Sequence, residues 1–453
     1  MAKTARHTRS LALWMNGEKV GLWSATSAGE TLRYAPSWLE SSQGRALSLS
    51  LPFRPGNPEI AGAAVRAYFE NLLPDSQAIR SRLARKFKAR TGDAFDLLAQ
   101  IGRDCVGALQ IVPEGLNPRN VKRMQADPLD EAGVAKLLRG SIAPGPLGNA
   151  SGGPGESDDL RISLAGAQEK TALLWHAGSW WRPRGVTPTT HILKLPLGRV
   201  GPRQLDLRDS VENELLCAQI LGAFGLPVAR CHPLRFEGQS VLGIERFDRR
   251  WADDATWLMR LPQEDMCQAS ATPPHAKYEA DGGPGMARIL GLLGGSRRRA
   301  RDRETFFRAQ LLFWLLCAPD GHAKNFSIAL HAGGEYSMTP LYDVMSAYPV
   351  LGEGPGLISP HRVRLAMALR SKNAHWRMRD MLRRHWVEMG RRNGVVSESG
   401  QGVDAMIQDV IERTPGVLQS VAAQLPAGFP GRVADAILNG LRAAVNRAQA
   451  QAS

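Results

Sequence analysis

Apolar residues along this chain change period several times, and each change marks an element. Spacings of three and four over Ala61–Leu73 and Ser76–Lys88 predict helices. Strands are predicted near Leu11–Leu22 and, from strict alternation, over Leu47–Leu51, so residues 1–112 read as a mixed α/β domain. Residues 113–160 read as a connecting region with one helix, Asp130–Arg139, and a Gly-, Pro- and Ser-rich stretch at 140–159 that marks a boundary. Short apolar runs then dominate 161–248: Arg161–Ala165, Thr171–Trp175, His191–Pro196 and Val241–Phe247. Among them lies an amphipathic helix, Asp209–Leu221, with Asp209 as N-cap and Glu212 three residues on to complete a capping box. Residues 249–453 form a mostly helical region that closes with a helix near Val433–Ala448.

One apolar helix, Phe306–Cys317, ends at Asp320-Gly-His-Ala-Lys-Asn325. A base Asp five positions before an Asn that holds magnesium is the spacing of a kinase catalytic loop. Taken alone, Asp-x4-Asn is more often a polar loop whose Asp caps a helix. Two strands follow, Phe326–Leu330 and Tyr336–Leu341, around the turn His331-Ala-Gly-Gly334. This hairpin returns the chain to Leu341-Tyr342-Asp343, so Asp343 is able to face Asn325 across a metal. That pairing favours phosphoryl transfer.

A nucleotide site is offered upstream. Ala165, Gly166 and Ala167 are small enough for backbone N–H groups to approach phosphate oxygens, and the turn continues through Gln168, Glu169 and Lys170. It is not a Walker loop, because Leu164 and Glu169 occupy the two positions that motif needs as Gly. Lys194 sits inside an apolar strand, either directed inward to an anion or outward from an edge. Glu214 is its candidate partner, and Glu245-Arg246-Phe247 ends a strand where a hinge would meet adenine. The order of these parts is that of a kinase.

The collinear runs are long enough to carry a family resemblance. They include Tyr34-Ala-Pro, Leu47-Ser-Leu-Ser-Leu-Pro52, Asn71-Leu-Leu-Pro-Asp75, Ile101-Gly-Arg-Asp104, Ala165-Gly-Ala-Gln-Glu-Lys-Thr-Ala-Leu-Leu174, Glu245-Arg-Phe-Asp-Arg-Arg-Trp251, Lys277-Tyr-Glu279 and Asp320-Gly-His-Ala-Lys-Asn-Phe-Ser327. With these the chain resembles the HipA family of serine/threonine kinase toxins from bacterial toxin–antitoxin modules. The resemblance implies an α+β, two-lobed protein-kinase-like fold behind a small α/β N-terminal domain. It further implies that Ala165–Lys170 hold ATP, Lys194 the phosphates, and Glu245, Arg246 and Phe247 the adenine. His322, Ala323, Lys324, Asn325, Tyr342 and Asp343 would line the nucleotide, Asn325 and Asp343 would hold Mg2+, and Asp320 would accept the proton. Ser163 would be autophosphorylated, glutamyl-tRNA synthetase would be the substrate, and a HipB-like antitoxin would join the chain on operator DNA, with growth arrest and persistence as the outcome. Pro319 departs from the pattern, because a small hydroxyl residue is expected before the catalytic Asp.

Composition narrows the partners. A net charge of +14 over 453 residues implies an acidic one. Of three basic groups, Arg80–Arg90 and Arg297–Arg303 read as solvated, while Arg383, Arg384, Arg391 and Arg392 are the candidates for phosphate contacts, Arg391 and Arg392 foremost. No aromatic-interleaved basic motif suggests base reading. The five cysteines, Cys105, Cys217, Cys231, Cys267 and Cys317, are scattered without a C-x2-C pair, as suits reduced cytoplasmic thiols and no zinc site. No uninterrupted apolar stretch reaches the ~18 residues of a membrane helix, and no signal-peptide core is present. Two other classes stay open: a small-molecule phosphotransferase with the same apparatus, and a non-catalytic corepressor of a DNA-binding antitoxin.

Overall fold

The computed structural model describes residues 9–142 and 168–451. Five strands build the first sheet: β1 (Arg9–Met15), β2 (Glu18–Thr26), β3 (Gly29–Tyr34), β4 (Ile60–Ala61) and β5 (Leu109–Pro113), in the order β4-β3-β2-β1-β5. The single strand expected over Leu11–Leu22 is thus two, joined at Asn16-Gly17, both with positive φ as a tight hairpin demands. Trp23, Phe69 and Phe95 fill the core beneath, Trp23 stacked on Phe69 at 3.7 Å.

The expected strand at Leu47–Leu51 is absent. Leu47 and Leu51 are buried, but the backbone between them finds no ladder. Hydrogen bonds to a distant part of the chain take the place of a ladder. Leu49 N–H donates to Glu264 Oε1 at 2.9 Å, and Ser50 Oγ donates to the Gln268 carbonyl at 2.7 Å. Alternation here reflects docking against another domain.

The second sheet has six strands. β6 (Ala126–Leu129), β7 (Lys170–His176), β8 (Ser179–Pro183) and β9 (His191–Lys194) precede a small hairpin of β10 (Gly198–Val200) and β11 (Leu205–Leu207). With β12 (Cys231–Phe236) and β13 (Gln239–Glu245) the order is β12-β13-β9-β7-β8-β6. The segment read from sequence as a connection therefore supplies an edge strand, β6, and a helix, Glu131–Ile142, whose Val134, Ala135 and Leu138 pack against Leu173 and Val241. The Ser210–Ala223 helix covers the other face. Its expected capping box does not form: Asp209 makes no cap bond and is drawn to Arg432 instead.

Past a short pair, β14 (Arg249–Trp251) and β15 (Leu258–Arg260), the chain enters a helical lobe around the Arg299–Leu315 helix. Phe306, Phe307, Phe313 and Trp386 anchor its core. A three-stranded sheet of β16 (Gln263–Asp265), β17 (Ser327–Leu330) and β18 (Tyr336–Met338) lies at the junction of the lobes, and its β17–β18 hairpin is the one expected from sequence. Among the described residues no helix is long and apolar enough to cross a membrane.

Candidate active site

The Arg299–Leu315 helix ends in a turn with Cys317 at φ 52°, and Pro319 and Asp320 follow at the surface. The Asp320 carbonyl ties the loop together by accepting His322 N–H and Asn325 Nδ2, each at 2.8 Å. Gly321 is required here, because a Cβ would lie 2.4 Å from the Phe313 ring. The loop closes with Pro319 in place, so a hydroxyl residue there is not needed for its shape. The Asp320 side chain is half exposed, and Tyr278 donates its phenolic O–H to Oδ1 at 2.6 Å. Burial and that carboxylate push the Tyr278 phenol up. Tyr278 was not expected beside Asp320; its place next to Lys277 in the Lys277-Tyr-Glu279 run was the signal available.

Lys194 is inward. Its ammonium is buried and lies 2.7 and 3.0 Å from the Glu214 oxygens and 2.6 Å from Asp343 Oδ1. Burial would lower its pKa, but Asp343 and Glu214 hold it well above the ordinary lysine range, so it is charged. Burial raises Asp343 less than Lys194 and Lys170 lower it, so its carboxylate is ionised. Asp343 adopts φ 61°, a left-handed conformation that turns its carboxylate back toward the lysine. Lys170 faces Lys194 across the β7–β9 register, and burial with that neighbouring charge pulls it down to about 8. His322 is buried and neutral because burial lowers its pKa, and its Nδ1 has no partner among the described residues. Tyr342 is fixed by Ser327 Oγ at 2.5 Å and the Lys324 carbonyl at 2.9 Å, and Phe247 packs on its ring at 5.8 Å.

Several expected side chains point elsewhere. The Lys324 ammonium is turned away to Asp75 Oδ1 at 2.8 Å, joined there by Lys277 at 2.7 Å. Burial would raise Asp75, yet Lys324 and Lys277 hold it at about 2. Arg246 leaves the cleft for a buried cluster at the N-terminal domain, and Glu245 engages His232 at 2.8 Å. Gln168 binds the Leu195 carbonyl, Glu169 binds Arg82, and Ala323 is fully buried. Ser163, Ala165, Gly166 and Ala167 lie outside the described residues.

The basic groups also change meaning. Arg80, expected in solvent, is buried against Glu70, because its guanidinium also satisfies the Pro74 carbonyl at 2.6 Å. Arg383 is likewise buried on Asp404 at 2.7 Å and is not available to a phosphate. Arg391 and Arg392 are exposed and share Glu388.

The site fits a hard cation. Asn325 spends its amide N–H on the Asp320 carbonyl, which leaves Oδ1, and Asp343 keeps Oδ2 without a bond among the described residues. An amide oxygen and a carboxylate beside phosphate oxygens are the donors Mg2+ prefers.

A strand lysine paired to a helix glutamate, above a loop presenting Asp320 and Asn325, defines the two-lobed kinase class. Comparison with known proteins agrees. Residues 11–112 match the HipA N-terminal domain and residues 162–418 the HipA-like C-terminal domain. A Sinorhizobium fredii protein named as a kinase, Y4mE, is 35% identical over 79% of this chain and 82% of its own. The serine/threonine-protein kinase toxin HipA of Shewanella oneidensis is 25% identical over 75% of each. A solved structure of the HipA, HipB and operator DNA complex from Shewanella oneidensis superposes with a TM-score of 0.75, covering 97% of both chains at 21% identity. The chain belongs to the HipA family, and its fold is the α+β kinase-like fold of that family.

Proposed function

We propose that this chain is the toxin of a type II toxin–antitoxin pair and transfers the γ-phosphoryl group of ATP to serine or threonine of a protein. The carrying observation is the buried Lys194 ammonium shared by Glu214 and Asp343 in the cleft beside Asp320. Glu214 keeps the lysine charged and aimed when incoming phosphates compete for it. Asn325 and Asp343 would hold Mg2+, which neutralises charge on the phosphates. Asp320 accepts the proton of the acceptor hydroxyl once that hydroxyl takes the place of the Tyr278 O–H.

Family membership supports the finer assignments. The relative solved with HipB and operator DNA motivates a HipB-type antitoxin and operator DNA as partners, with Arg391 and Arg392 on the exposed face that meets phosphate. Glutamyl-tRNA synthetase is the proposed substrate, Ser163 the proposed autophosphorylation site, and the bacterial cytoplasm the setting. Radiolabel transfer from ATP with and without Mg2+, followed by phosphopeptide mapping, tests the reading. Label on a serine that disappears in Asp320→Gln is the expected result. A wild-type rate in Asp320→Gln removes the kinase assignment.

A further inference from the structure

Away from the cleft, one face of the six-stranded sheet carries a second convergent group. We propose that His191, His232 and Glu245 form a binding site for a borderline divalent cation of the Zn2+ type. Their placement follows from strand register. His191 on β9 lies opposite Glu245 on β13, and His232 on β12 lies opposite Gly243. Gly243 and Glu245 are two apart on one strand and share a face. All three side chains therefore rise from the same side of three adjacent strands.

The spacing suits one ion. One potential ligand atom from each residue lies within 4.8 Å of the other two, and His232 Nε2 is already 2.8 Å from Glu245 Oε1. Ligand bonds of about 2.0–2.2 Å set tetrahedral ligand atoms roughly 3.3–3.6 Å apart, so small side-chain rotations complete the geometry. Two imidazoles and a carboxylate select Zn2+ over Mg2+, which needs an oxygen shell. With three protein ligands, the fourth position of a tetrahedral site is left for water.

The surroundings of His191 are those of a ligand histidine. Its Nδ1 is 2.9 Å from Thr190 Oγ1, an oxygen itself held by Trp175 N–H at 2.6 Å. A metal on Nε2 puts the ring proton on Nδ1, where Thr190 Oγ1 accepts it. Trp180 meets the ring edge-on at 5.2 Å and limits its rotation. A simple ion pair between His232 and Glu245 would leave this oriented third residue without a role. Arg230 stands 3.7 Å from Glu245 Oε2, but its side chain is 80% exposed and is free to swing off. Because Glu245 ends β13 at the junction of the lobes, a cation here ties three strands together where the nucleotide lobe hands over to the helical lobe.

Calorimetry of Zn2+ with the full chain, in excess Mg2+ and without nucleotide, tests the site. One equivalent should bind, and Zn2+ should raise Tm. His232→Asn and His191→Asn should each weaken binding at least tenfold, while Asp343→Asn keeps it. The His232 ring is half exposed, so its replacement leaves the fold intact, which near-ultraviolet circular dichroism checks. As a reading independent of variants, Co2+ in excess Mg2+ should give the wild type the visible absorption of a low-coordinate nitrogen–oxygen site. Failure to bind, binding that survives both histidine variants, or loss with Asp343→Asn overturns the proposal.

Discussion

Two of the buried charge networks among the described residues are finished differently. At the junction of the N-terminal domain with the kinase lobes, Asp104 and Asp248 bind Arg246, Arg249 and Arg260, all with side chains no more than 2% exposed on the arginine side. Thr189, Gly107 and the carbonyls of Cys105 and Val186 take up most of the remaining donors and acceptors, with Arg249 Nε left unpaired among the described residues. In the cleft, Lys194 is equally buried, but its neighbourhood is left open. Asp343 is 31% exposed, Asp320 half exposed, His322 Nδ1 unpaired among the described residues, and Lys170 depressed to about 8 by burial and Lys194. A closed network holds domains in register; an open one waits for charge from outside. The completeness of its bonding separates structural from functional burial.

Breaking the open cluster should cost chemistry and little stability. Asp343→Asn is expected to lower phosphoryl transfer by about three orders of magnitude or more, since base and metal ligands act as a unit, with a near wild-type melting curve. A steady-state rate and a Tm on the same sample check both. Breaking the closed cluster should do the reverse. Asp104→Asn leaves buried Arg260 without a carboxylate and Arg246 and Arg249 with Asp248 alone, and should destabilise by about 3–5 kcal/mol, read by urea unfolding, while activity per folded molecule survives. If Asp104→Asn kills activity without loss of stability, the contrast between the clusters fails.

A smaller effect is expected from the loop that presents Asp320. Gly321→Ala pushes a methyl into Phe313 and should displace Asp320, with about a tenfold to hundredfold fall in kcat and a modest drop in Tm. The smallest effect tests a third buried acid. Burial raises Glu264 from the usual carboxyl range to about 8. The native state then holds a proton that the unfolded chain releases, so stability should fall as pH rises from about 4.5 to about 8. Glu264→Gln should flatten that slope in Tm against pH; an unchanged slope assigns it to other groups.

Much of this was legible locally. The helix that delivers Asp320 and the hairpin that returns Asp343 follow from apolar period and turn residues within a few dozen positions, whereas the strand of Lys194 was legible and its inward direction was not. What sequence hid was satisfied from far away. Leu47–Leu51 alternates like a strand, yet Leu49 N–H bonds to the Glu264 carboxylate and the Ser50 hydroxyl to the Gln268 carbonyl, more than two hundred residues on. Asp209 has the capping pattern, and Arg432 takes its carboxylate. Lys324 sits in the catalytic loop motif, but Asp75 claims its ammonium, and Arg246 leaves the hinge for Asp104. Motif spacing locates a backbone; only tertiary partners say where a long side chain goes.

The Asp75 bridge carries one more implication. A single carboxylate of the N-terminal domain grips Lys324 inside the catalytic loop and Lys277 next to Tyr278, which in turn holds Asp320. The N-terminal domain thus acts as a splint, holding the loop by Lys324 and leaving Asp320 and Asn325 free of its own side chains. A chain trimmed back to its two kinase lobes would keep every reacting group and lose the brace that aligns them. By this linkage the leading domain is a working part of the cleft and not an attachment to it.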